Sequence, residues 1–292
     1  MVPKALLLLF VGSLMIVSCA TDPPRPTPPA SMSVTAAATV AATPSAVIER
    51  APLTPSPAPT ILPAATAAQA QVPVPVPVPR GVVREIERGN LDRAEIAFTF
   101  DCGGHATGTA EILAVLRDAG VRITWFMIGD WVRAYPDLAR EIAARHEIAN
   151  HSNTHPDYRD LTDVQIAADL DAADRTFREV LGVSSKPLWR APSGARDDRV
   201  LAAATHAGWL LHIFWTFGRD TSGNLVTGDS GDWRGFNAQQ VAENIRRVTA
   251  LRNGVITVSH CDSEATRASL PEVLRELREA GLRVTTVSDV LR

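Results

Sequence analysis

Fifteen of the chain's 21 prolines lie between Thr21 and Pro79, and this clustering divides the sequence before any other feature is weighed. Over the same span the only charged residues are Asp22, Arg25, Glu49 and Arg50, and most of the rest is Ala, Thr, Ser and Val. Such a segment buries too little apolar surface to offset the entropy of ordering it, so it reads as a disordered tether. It closes in Val72-Pro-Val-Pro-Val-Pro-Val-Pro79, a polyproline II-like spacer. As a coil, a tether of roughly 60 residues spans about 40 Å root-mean-square, and more where proline stiffens it. What remains to fold is the last ~200 residues, one domain's worth and enough for a sizeable core.

Ahead of the tether, Lys4 precedes an apolar run from Ala5 to Val17. That run has the length of a signal-peptide h-region and is too short for a comfortable membrane span. Ile16-Val-Ser-Cys19 resembles a bacterial lipobox, with Ile where Leu is preferred. The resemblance implies cleavage before Cys19, lipidation of its thiol, and an exported protein anchored to the cell membrane that faces the envelope or exterior. The plainer alternative is an ordinary signal peptide with a chance cysteine. The expected organisation is a signal peptide over 1–18, a tether over 19–80 and a folded domain over 81–292. If Cys19 carries lipid, Cys102 and Cys261 remain as an even pair in an exported domain. The formal net charge of −3 points away from a nucleic-acid partner and from charge-driven membrane binding.

Residues 81–92 are charged and irregular and read as a lead-in. After them, strand patterns over 96–100, 122–128, 147–150, 187–190, 209–215, 255–259 and 282–287 alternate with amphipathic helical patterns. The helices are expected over 110–119, 136–146, 162–181, 197–207, 237–252 and 264–280, with Pro136 in a first turn and Gly120, Gly182, Gly254 and Gly281 as stops. This alternation predicts an α/β fold, a distorted (β/α) barrel of about seven parallel strands with helices outside. An open doubly wound sheet is the alternative, but no Gly-x-Gly-x-x-Gly fingerprint supports a nucleotide site.

Polar residues gather just past these strands, on the edge where α/β folds place chemistry. Ile96-Ala-Phe-Thr-Phe runs into Asp101-Cys-Gly-Gly104. The third strand leads to His151 and His155, whose spacing of four predicts one face of a helical turn and a shared metal ion. Arg190 leaves the fourth strand beside a Pro/Gly turn, where its fork could orient a carboxylate. A Gly/Asp loop after the fifth strand holds Asp229, Asp232 and Trp233, and the sixth strand ends at His260-Cys261, a position for a general acid or base. Each of these has a bland reading as a packed or merely exposed side chain.

Taken in order, Thr99-Phe-Asp-Cys-Gly103, His151-Ser-Asn-Thr-His155, Arg190-Ala-Pro-Ser-Gly194, Asp229-Ser-Gly-Asp-Trp233 and Val258-Ser-His260 resemble the five motifs of the polysaccharide deacetylase family, the NodB-homology domain of carbohydrate esterase family four. The resemblance covers 95–292. It implies metal-dependent N-deacetylation of an acetylated amino-sugar polysaccharide, such as peptidoglycan or a chitin-like glycan. His151 and His155 would hold Zn²⁺ or another divalent ion. Asp101 would be the general base and Arg190 its orienting partner. His260, paired with Asp232, would protonate the leaving amine. Trp233 would wall the acetyl pocket, and the Tyr158 backbone N–H would help to hold the oxyanion. The expected state is a monomer with a polysaccharide substrate.

One position departs from the family pattern. Its first motif carries a second acid, the third metal ligand, where this chain has Cys102. Cys102 is then a thiolate ligand completing a Cys-His-His set, or the disulfide partner of Cys261 with the metal left to the two histidines and water or recruiting His105 or Asp262, or the mark of a site that has lost its metal and binds glycan without cleaving it, or, with Cys261, simply a buried free thiol. An O-acetyl esterase on the same fold is a further alternative.

Overall fold

A computed structural model of the protein describes residues 84–292; the expected signal peptide, the proline-rich tether and Cys19 lie outside the described residues. The apolar runs are too short to stand alone and find their backbone partners only in one another. They form strands β1 (Arg84–Ile86), β2 (Glu95–Ala97), β3 (Thr99–Cys102), β4 (Thr124–Met127), β5 (Glu147–Asn150), β6 (Leu188–Trp189), β7 (Leu211–Ile213), β8 (Phe217–Arg219), β9 (Leu225–Thr227), β10 (Val255–Ile256), β11 (Ser259–His260) and β12 (Arg283–Thr285). Seven of these make one parallel sheet, in the order β1-β7-β6-β5-β4-β3-β11, which curls into a half-barrel.

The seven parallel strands match the expectation in number but not in membership. The expected last strand, 282–287, yields β12, which pairs with β2 in a separate three-stranded sheet. Its place in the large sheet is taken by β1, from the stretch read as an irregular lead-in. Arg84-Glu-Ile is too short to show a period, and only its partner β7 makes it a strand. The long loop after β7 also folds back as the antiparallel hairpin β8–β9.

All six expected helices form: α1 (Thr109–Asp118), α3 (Pro136–Arg145), α4 (Asp163–Leu181), α5 (Asp198–His206), α6 (Ala238–Thr249) and α7 (Glu264–Glu279); α2 (Gly129–Ala134) and α8 (Val287–Val290) were not expected. Helix α4 shows why the longer ones were readable. Thr162 and Gln165 close a capping box at its start, and Gly182 ends it at φ 72°.

Strand alternation sorts β3 into two faces. Phe98, Phe100 and Cys102 turn to the helical layer and join its apolar cluster with Ile112, Trp125, Trp131 and Phe177. Thr99 and Asp101 turn the other way, where one guanidinium nitrogen of Arg190 meets both.

Beside β11, at the edge of the half-barrel, irregular chain takes the place of a further strand. Thr216 N–H donates to Ile256 O at 3.0 Å, Gly228 N–H to Thr216 O at 2.7 Å, and Val258 N–H to Gly228 O at 2.8 Å. A Cβ at Gly228 would overlap the Ile256 carbonyl oxygen and approach Thr216 N to 3.1 Å. Gly228→Ala is therefore expected to lower stability by about 1–3 kcal/mol, read as an earlier midpoint in denaturant unfolding; an unchanged midpoint would show that this seam is slack.

Candidate active site

Asp101 lies one residue before the end of β3 and His260 ends β11, and the two are direct register partners on neighbouring parallel strands. Each is held by its own partner. Arg190, fully buried just past β6, sends Nη1 to Asp101 Oδ1 at 2.6 Å and Nε to the Ile213 carbonyl at 2.9 Å. Asp232 opens the short turn Asp232–Arg234 and grips His260 twice, at Nδ1 (2.7 Å) and at the backbone N–H (2.8 Å). Thr266 on α7 donates a third hydrogen bond to Asp232 at 2.6 Å.

The charges follow from these contacts. Burial raises Asp101, but Arg190, then His151 and His260, outweigh it and hold the carboxyl below the usual carboxylate range. Burial likewise pulls His260 down, and the Asp232 carboxylate overrides it, pushing His260 up to about 9. At neutral pH the site therefore presents a carboxylate and an imidazolium side by side.

The two histidines of the third motif are brought together, but not as expected. Residues 151–157 form no helical turn, and Ser152 and His155 have φ of 86° and 62°. The loop is built by its small polar residues. Ser152 N–H donates to Asn150 Oδ1 at 2.7 Å, and His155 N–H donates to Ser152 Oγ at 2.9 Å. The rings end up edge to face, 5.0 Å apart. His151 is buried, and burial first of all lowers it to about 4; His155 is exposed as a residue, yet desolvation of its ring lowers it as well. Both are neutral near pH 7.

Asp169 on α4 was not singled out from the sequence. It accepts from Asn153 N–H at 2.8 Å, Thr154 Oγ1 at 3.1 Å and the Tyr158 hydroxyl at 2.9 Å, and so moors the histidine loop. A single Asp in a helix pattern carries no local signal of that role. Tyr158 turns its ring into the core, which leaves its backbone N–H as the group relevant to the site. Trp233, expected as a pocket wall, is 62% exposed, with Nε1–H on Asp229 and the Arg234 guanidinium over its ring. A cleft of about 680 Å³ opens at the far ends of the strands, beside Arg122, Arg278 and Arg283, and contains none of the motif residues.

Comparison with known proteins adds the family. A family model described as polysaccharide deacetylase matches residues 88–211. A peptidoglycan-N-acetylglucosamine deacetylase of Bacillus cereus is 30% identical over 201 residues, 68% of this chain and 88% of that protein. The chain belongs to the polysaccharide deacetylase family. A chitooligosaccharide deacetylase of Rhizobium leguminosarum bv. trifolii is 31% identical over 212 residues, 70% of this chain and 86% of that protein. A solved CE4 family pseudoenzyme from Bacillus anthracis shares the fold, with TM-score 0.63 at 23% identity over 72% of this chain and 70% of that one.

Deacetylases of this family are generally metal-dependent, so the donor set here needs testing. Cys102 is disulfide-bonded to Cys261, with Cα atoms 5.4 Å apart. Its expected role as a thiolate ligand is thereby corrected, and the reason is strand alternation. Asp101 faces the site, so Cys102 faces the helical layer, where Cys261 is also fully buried. His105 and Asp262 join no ligand group among the described residues either; what links them is the His105 backbone N–H, which donates to Asp262 Oδ2 at 3.1 Å. Among the described residues no three His, Cys, Asp or Glu side chains are grouped to hold a metal ion. A catalytic zinc takes three protein ligands and a water, and the residues present do not fit that arrangement. Elemental analysis of dialysed protein is expected to find no stoichiometric zinc, before or after disulfide reduction. One tightly held divalent ion per chain would overturn this reading.

Proposed function

We propose that this protein hydrolyses the N-acetyl groups of an acetylated amino-sugar polysaccharide of the peptidoglycan or chitin type. We also propose that it does so as a monomer tethered to the cell membrane through lipidated Cys19. The apolar run to Val17 and the Ile16-Val-Ser-Cys19 sequence support the anchor. One observation carries the activity: Asp101 and His260 are register neighbours whose protonation states are set apart by separate partners.

In this reading Asp101 takes a proton from water as the water oxygen adds to the acetyl carbonyl carbon. His260 gives its proton to the sugar nitrogen as the carbon–nitrogen bond breaks, because an amine leaves far more readily than an amide anion. The products are acetate and a free amino sugar. Arg190 keeps Asp101 ionised and aimed, and Asp232 keeps His260 charged. The family resemblance assigns the oxyanion to the Tyr158 N–H, a fixed donor of the kind that contributes roughly 3 kcal/mol.

A second reading, a domain that binds glycan without cleaving it, is favoured by the incomplete metal donor set. The two are separated by acetate release. If the chain is a hydrolase, Asp101→Asn and His260→Ala each lower kcat by about 10²–10⁴-fold while oligosaccharide binding persists. If wild-type protein binds acetylated oligosaccharide but releases no acetate, the second reading stands.

The pH profile follows from His260. It acts as an acid only while protonated, so kcat/KM is expected to fall on the alkaline side near pH 9. Asp232→Asn removes the main stabiliser of the imidazolium and is expected to move that limb toward the ordinary value of 6.5. The same raised value contributes stability that is complete below pH 6.5 and is lost as pH rises through about 9. An alkaline limb unmoved in Asp232→Asn would remove His260 from the acid role.

A further inference from the structure

The peptide unit that joins Arg190 to Ala191 is held at both ends by imidazole rings. Its carbonyl oxygen accepts from Nδ1 of His151 at 3.1 Å. Its N–H donates to Nε2 of His212 at 3.2 Å. A carbonyl can only accept and an N–H can only donate, so these two contacts assign the tautomers. His151 carries its proton on Nδ1 and turns a bare Nε2 toward Asp101 Oδ2, 3.5 Å away. His212 turns a bare Nε2 to Ala191 and keeps its proton on Nδ1.

Behind His212 stands a second layer. Nδ1 of His212 lies 2.9 Å from Oε2 of Glu85, in a bent approach that is electrostatic rather than a well-aligned hydrogen bond. Glu85 and His212 are register partners across β1 and β7, and His212 and Trp189 are partners across β7 and β6. Glu85 also accepts Nε and Nη2 of Arg196 at 2.7 and 2.9 Å, and the Arg196 guanidinium lies 3.6 Å from the centre of the Phe214 ring. Burial would raise Glu85, but His212 and Arg196 outweigh it and hold it at about 2. Burial lowers His212, which is 1% exposed and packs on Trp189 with ring centres 4.5 Å apart.

This array runs from the edge strand β1 across β7 to the turn after β6, takes no part in the proton transfers, and ends on the backbone of the residue that grips Asp101. We propose that His212, backed by Glu85 and Arg196, is a positioning residue that clamps the Arg190–Ala191 peptide, so that Arg190 meets Asp101 and His151 keeps a single tautomer. The catalytic half of this inference rests on Asp101 being the general base; the tautomer half does not.

The test compares His212→Phe with His212→Gln in the full chain. Phe preserves the ring against Trp189 but offers Ala191 no acceptor; the Gln side-chain oxygen can replace Nε2. With acetylated chitin oligomers as substrate, His212→Phe is expected to lower kcat about 10- to 100-fold with KM little changed, and His212→Gln to restore most of it. Glu85→Gln, a gentler change that keeps the shape, is expected to move kcat in the same direction by less. Histidine-selective ¹⁵N NMR reads the other half directly: His151 is expected purely as the Nδ1–H form in wild type and in His212→Gln, and as a mixture in His212→Phe. Wild-type kcat together with an unmixed His151 signal in folded His212→Phe overturns the proposal, as does failure of His212→Gln to recover either property. If even wild-type protein releases no acetate, the deacetylase reading fails, and the nitrogen spectra alone decide the clamp.

Discussion

The site depends first on the ion pair between Arg190 and Asp101, which is almost wholly removed from water. Removing one partner of such a pair typically costs about 3–5 kcal/mol because the other charge is stranded. Here the pair also does geometric work. Arg190 reaches Ile213 O on β7, Thr99 Oγ1 and Asp101 on β3, and lies 4.0 Å from the centre of the Phe126 ring on β4. A lysine ammonium could reach one of these partners but could not lie flat on the ring and fork to the rest. The guanidinium therefore gathers three strands around the carboxylate, and the curl of the sheet is what brings them within its reach.

A second carboxylate–cation pair lies beside the first, and the difference between them makes chemistry available. Asp101 and Asp232 are both held ionised by a cation. The cations are not equivalent. Arginine cannot give up its proton in this environment, so its partner stays a base and nothing else. Histidine can, so its partner's effect is to store a proton at a place where it can be delivered. Two acids with opposite consequences follow from one choice of partner at positions 190 and 260.

Much of this was written locally in the chain. Asp101, Arg190 and His260 each sit at or just past a strand announced by an apolar run, and Asp232 sits in a Gly-rich turn. Helices with caps, such as the one from Asp163 to Leu181, were equally plain. What stayed hidden depends on partners distant in sequence. Arg84-Glu-Ile becomes a strand only because Leu211-His-Ile lies beside it. Asp169 looks like any polar helical residue until the loop of Asn153, Thr154 and Tyr158 folds onto it. His151 and His155 did converge, but through Asn150 and Ser152 side-chain turns and two left-handed residues rather than through helical spacing. Cys102 could not be resolved between ligand and disulfide from composition, because the answer turns on which face of one strand it occupies.

That face has a wider consequence. Cys102 follows Asp101 and Cys261 follows His260, so the covalent link ties the two strands immediately beyond these register partners. A metal centre of three ligands would instead have tied β3 to the histidine loop. The link closes a separation of 159 residues, and in the chain-entropy description a cross-link over a loop of that order stabilises by roughly 5 kcal/mol. The loop side of the site is left to hydrogen bonds alone: Asp169 moors its tail, and the Arg190–Ala191 peptide fixes the ring of His151. The half of the site that carries Asp101 and His260 is thus tied covalently, and the half that carries the two histidines is held by hydrogen bonds. Any tuning of this site by sequence change should therefore enter through the histidine loop and the peptide behind it, while β3 and β11 keep Asp101 and His260 in register.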